Sequence, residues 1–263
     1  MRTAFPHPPW LASVFLLLLF TSHAYGGELL VAAPAAFEPA GERLASEYFR
    51  IHGKPVTMVF GAMAVLTTQA IHGAPFDLIL STGRSWTQRL TERNLLEQES
   101  IRTLSVGRMA LLVRPPTPLP PGIPLLDARE IRRLSESTRG LIAFAHPDYS
   151  PDGLLAMEIL EKAGLTHSIR GRLLHGEDSR HAMALLKNGN ASLALVPESL
   201  ARISKTPWLG IRPNLHSRFE LVRATGQPSG RHPDLPLFLK LLESPITDNI
   251  LRDFGFTRRT LDN

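Results

Sequence analysis

No cysteine occurs in the 263 residues. A small disulfide-stapled domain is therefore excluded, as is a lipid anchor on an N-terminal cysteine, and a larger apolar core must hold the fold. Runs of Lys and Arg with interleaved aromatics are also missing, so there is no nucleic-acid footprint. The catalytic signatures G-x-S-x-G, H-E-x-x-H, the P-loop and G-x-G-x-x-G are absent. No local motif sets a nucleophile on a strained turn, and no two carboxylates stand at a recognisable acid/base spacing. The chain reads as a non-enzyme, with no catalytic residue, metal site or cofactor assigned. Long apolar runs are absent as well, apart from "LASVFLLLLF" at residues 11–20. Arg2 precedes that run and Ser22-His23-Ala24 follows it. This predicts a cleavable signal peptide over residues 1–24, too short to serve as a spanning helix, and hence a periplasmic protein. Losing that segment removes Arg2 and no acid, taking the formal charge from +5 to +4.

The full chain is 43% hydrophobic and 20% charged, a globular composition. Strands are predicted at residues 28–33, 55–60 and 76–81. A helix follows each of them, the first with Ala40, Leu44, Tyr48 and Gly41, Ala45, Phe49 at four-residue spacing, the others at about 62–72 and 86–95. This β-α-β-α-β order implies a parallel sheet with helices on its faces. A long strand is expected at 101–114, ending in the stiff stretch "PPTPLPPGIP". A second α/β series occupies residues 141–196, a further strand 218–223, and two helices split by Pro245 lie within 235–254.

Several segments in this order carry a resemblance: "VAAPAAFEPAGERLASEYF", "VTMVFGAMAVLTTQAIHGAPFDLILSTGRSW", "HPDYSPDGLLAMEILEKAGL", "EDSRHAMALLKNGNASLALV" and "FLKLLESPITDNILRDFGF". Together they resemble the periplasmic molybdate-binding proteins of ABC importers over nearly all of the mature chain. The resemblance implies a two-lobed α/β fold of the type II periplasmic kind, with mixed sheets flanked by helices and a hinge between the lobes. The expected division is lobe 1 at 28–104, lobe 2 at 105–217 and a return to lobe 1 at 218–263. The implied partners are a small solute and an ABC permease, and the chain is expected to be a monomer.

The family holds its oxyanion with hydroxyls and helix-start N–H groups. By resemblance the pocket positions are Ala36, Ala62, Met63, Asp152, Gly153 and Ser179. Ala36 and Ala62 stand where the family has Ser, and Pro197 stands where it has Tyr. Each lost hydrogen bond to a charged group is worth roughly 1.5–3 kcal/mol. A carboxylate at Asp152 would also repel a dianion, unless it caps its own helix. The implied function is solute capture for an importer, with a ligand changed from an oxyanion toward a neutral or cationic one. The alternative is a non-transport partner or accessory protein on a retired binding fold.

Other residues carry weaker signals. His146, Asp148, His175, Asp178 and His181 cluster as possible metal ligands, although scattered surface histidines explain them as well. Asp77 is expected to bond backbone near the hinge. Trp86 is expected to pack against a helix, and Tyr149 to stand in the loop beside the pocket.

Overall fold

The computed structural model describes residues 27–227 and 232–258; residues 1–24, expected to be a signal peptide, lie outside the described residues. The chain opens with β1 (Leu29–Pro34), α1 (Glu38–His52), β2 (Val56–Gly61), α2 (Met63–Ile71), β3 (Leu78–Thr82) and α3 (Ser85–Thr91). Alternation of apolar strand and amphipathic helix produces this order. In α1, Ala40, Leu44 and Tyr48 form the buried face, and Gly41 lets the helix close down on the Phe60 ring. The helix ends at Gly53, whose φ of 64° is the left-handed cap that glycine adopts freely. β4 (Arg102–Gly107) then leads directly into β5 (Met109–Val113).

The expected single strand at 101–114 is therefore divided at Arg108. The reason is topological, since its halves belong to different sheets. The first sheet has the order β2-β1-β3-β11-β4, where β11 is Phe219–Thr225. β1 runs parallel to β2 and β3, while β11 runs antiparallel to both β3 and β4.

The second series comprises β6 (Leu125–Leu126), α4 (Ala128–Thr138), β7 (Ile142–Ala145), α5 (Pro151–Lys162), β8 (Leu173–Gly176) and α6 (Ser179–Lys187). It continues with β9 (Leu193–Pro197), α7 (Glu198–Ile203) and β10 (Trp208–Ile211). Its sheet has the order β6-β10-β5-β9-β7-β8, parallel around β7 and antiparallel where β5 enters. Each sheet is the centre of one lobe. The lobes are joined through Arg108 and through the segment between β10 and β11.

The last helices, α8 (Leu235–Leu242) and α9 (Pro245–Asp253), pack on the first lobe. Phe238 meets the Tyr48 ring edge-on at 5.3 Å, and Phe256 stands 6.0 Å from both Phe37 and Phe219. Among the described residues no helix is long and apolar enough to cross a membrane.

Candidate functional site

In sheets of this kind ligands collect where parallel strands end and helices begin. Four such ends converge here: those after β1 and β2 in the first lobe, and those after β7 and β8 in the second. Pro34 stops β1, and residues Ala35–Phe37 make one turn of 3-10 helix. β2 ends at Gly61. Ala62 stays extended, with φ −65° and ψ 136°, and α2 begins at Met63. In the second lobe Ser150 precedes α5, Pro151 fills its first position and Asp152 its second. Asp178 caps α6 by accepting the His181 N–H at 2.9 Å, which puts Ser179 at the helix start.

The structure brings five of the six predicted positions to these ends and buries them. Ala36 is 1% exposed, Ala62 4%, Asp152 3% and Ser179 0%. Gly153 is buried too, for a packing reason. A Cβ there would stand 2.8 Å from the His146 carbonyl carbon and closer still to the Ala145 oxygen, so only glycine lets α5 sit on the end of β7. Met63 turns away from the cleft. Its side chain joins Ala32, Leu66, Ile79 and Trp86 in the core beneath α2. The apolar neighbours in that core account for the difference from the expected pocket position.

Asp152 does not cap its own helix. Its Oδ2 accepts the Ser179 hydroxyl at 2.8 Å, tying the start of α5 to the start of α6. Its Oδ1 is buried with no hydrogen-bond partner in the structure. Burial pushes this carboxyl up to about 6. The Ser179 hydroxyl pulls it down, Asp178 adds to the rise, and the Ser150 hydroxyl offsets part of it.

Two residues with no sequence signal complete the region. Ser199, on α7 just beyond Pro197, donates its hydroxyl to the Ala36 carbonyl at 2.6 Å. Arg180 reaches from α6 to Glu38 at 2.6 Å and to the Phe60 carbonyl at 3.3 Å. Beside them, the buried Glu198 accepts from Arg108 at 2.8 Å and from Arg202 at 2.6 and 2.9 Å.

His146 and His175 are engaged with one another and with aromatic rings, while His181 Nδ1 accepts the Glu177 N–H at 3.3 Å. His146 stacks on Tyr149 at 4.6 Å and stands 4.8 Å from His175, which meets Phe144 edge-on. Burial, with His146 second, lowers the His175 pKa. Among the described residues no three or more His, Asp or Glu side chains are grouped to hold a metal. Tyr149 is exposed at the rim, where its carbonyl accepts the Ala64 N–H at 3.1 Å across the cleft. Trp86 packs in the first-lobe core with Arg89 over its ring. Asp77 bonds the backbone N–H groups of Leu30 and His232 at 2.9 Å each. Those bonds lie at the opposite end of the sheet from the cleft, not at the hinge.

The family model described as bacterial extracellular solute-binding protein matches residues 29–257. The Haemophilus influenzae molybdate-binding protein ModA is 27% identical over 241 residues, which is 90% of this chain and 93% of that one. ModA of Escherichia coli is 25% identical over 237 residues, covering 88% and 89%. Among solved structures, the Azotobacter vinelandii periplasmic molybdate-binding protein superposes with a TM-score of 0.75 at 20% identity. That superposition covers 89% of this chain and 100% of the other.

Proposed function

Because the chain belongs to the bacterial extracellular solute-binding protein family, we propose that it captures a small solute between its lobes for an ABC importer, and that this solute differs from molybdate. The observation that carries this reading is the composition of these four ends and of the end of β9. Ala36, Ala62 and Pro197 have no side-chain hydroxyl to give, and Asp152, buried at the start of α5, leaves Oδ1 unpaired. A bare dianion would meet a carboxylate and lack three donors. A solute that donates hydrogen bonds or carries positive charge would satisfy Oδ1. Export with cleavage near Tyr25 belongs to the same proposal.

Calorimetry with molybdate, tungstate and sulfate tests it, beside a thermal-shift screen over small organic cations and neutral polar solutes. Losing three charged hydrogen bonds at roughly 1.5–3 kcal/mol each implies oxyanion affinity weaker by a thousandfold or more. The expected result is no molybdate isotherm at micromolar protein and a melting-point rise with a donor-bearing solute. A micromolar or tighter molybdate constant would overturn the altered-ligand reading.

One observation favours a second reading, a retired binding fold that serves a partner protein. Inside the cleft the Ser199 hydroxyl is spent on the Ala36 carbonyl. Val65, Tyr149 and Leu154 are exposed at its rim. A screen in which no solute raises the melting point would support this reading against transport.

A further inference from the structure

Groups of the protein itself bond one lobe to the other across the cleft. Arg180, at the start of α6, is the centre of this contact. One guanidinium nitrogen donates to Glu38, the first residue of α1, at 2.6 Å, and the other donates to the Phe60 carbonyl at the end of β2, at 3.3 Å. The same guanidinium stands 3.4 Å from Asp178, which holds it over the gap from its own lobe. The Arg180 and Glu38 side chains are 34% and 28% exposed, so the pair is shielded from bulk water without being fully dehydrated. A forked guanidinium spanning a carboxylate and a carbonyl fixes distance and orientation together, which a point charge would not. Deeper in the cleft the Ser199 hydroxyl grips the Ala36 carbonyl, and at the rim the Ala64 N–H grips the Tyr149 carbonyl. These contacts involve the ends of β1 and β2 and the start of α2 in one lobe, and the β7–α5 loop, α6 and α7 in the other.

We infer that Arg180 and Glu38 form an interlobe clasp, and that the chain's own contacts suffice to hold the cleft closed before any solute enters. A hinged protein populates whichever state has the lower free energy. A ligand shifts that balance only by its differential affinity for the two states. Here these contacts favour the closed state in advance, so a solute would find the cleft shut for most of the time. The inference does not depend on which solute the cleft takes.

The absence of native cysteine makes the test direct. Cysteines placed at the exposed positions Gln69 on α2 and Lys187 on α6 can carry nitroxide labels for pulsed-EPR distance measurement. The full mature chain would be unfolded and refolded beforehand to strip any carried solute. The parent chain should then give one short, narrow distance, with an open population below about 10%. Arg180→Ala and, separately, Glu38→Gln should each bring a longer distance to a comparable share. Glu38→Gln keeps the side-chain volume and decides the matter if Arg180→Ala does not fold. A parent chain that is mostly in the longer distance would overturn the clasp. So would a Glu38→Gln chain whose distribution matches the parent.

Discussion

At the scale of a single side chain, Asp152 is a carboxyl buried at the start of α5. Its carboxyl, ordinarily near 3.8, is pushed up to about 6 by burial. The folded protein thus binds this proton more tightly than the unfolded chain does. The stability that results is fully present below about pH 4 and is lost as pH rises through about 6, a span worth on the order of 3 kcal/mol. Asn at this position keeps an acceptor for the Ser179 hydroxyl and carries no charge. Asp152→Asn should therefore melt higher than the parent at pH 7.5, by several degrees at about 2–4 °C per kcal/mol, and match it near pH 4. Thermal melts across that range check this, and an Asn advantage that is the same at both ends would count against it. The sequence made Asp152 stand out, but its partner was not legible. An acid at a helix start most simply caps that helix, and only folding reveals that the Ser179 hydroxyl is nearer. Ser199 and Arg180 were invisible for a related reason: their partners lie 163 and 142 positions away.

At the scale of elements, the sequence was most readable where an apolar strand handed over to an amphipathic helix. β1 lies within a residue of its expected place and is followed by a helix as expected, and β7, α5 and β9 fall in the stretch expected to hold the second α/β series. What escaped was short or highly charged. In α4, "AREIRRLSEST", only Ile131, Leu134 and Ser135 are buried, so the charged face hides the apolar stripe. β10 is four residues long and makes sense only as the neighbour of β5. The division of one apparent strand at Arg108 is likewise a property of two sheets rather than of local propensity. The contact of α5 with β7 gives this scale its prediction. Gly153→Ala drives a Cβ into the Ala145 carbonyl, and backbone cannot yield as a flexible side chain would. It should cost about 1–3 kcal/mol in denaturant unfolding. A neutral outcome would mean that α5 can slide off the strand end without loss. Because Asp152 is the preceding residue, such a slide should also change the pH dependence described above.

For the whole molecule, the order of strands has a consequence for how the protein is made. Strand β11 lies between β3 and β4, and 139 positions separate Thr82 from its partner Leu221. The second-lobe sheet, in contrast, is assembled from one uninterrupted stretch, β5 to β10. Closing a long loop costs entropy before any contact rewards it, so distant pairings form late. Pulse-labelled hydrogen exchange during refolding should show β7 and β9 protected before β3 and β11. Simultaneous protection of both sheets would contradict this order. A chain threaded through a membrane N-terminus first delivers β1, β2 and β3 long before β11 arrives. Until then the apolar edge of β3 has no neighbour, and the earliest-made part of the protein is the last to be completed. During that interval the open edge is a template for pairing with other chains. On the proposed export route, the nascent first lobe would need shielding until residue 225 has crossed.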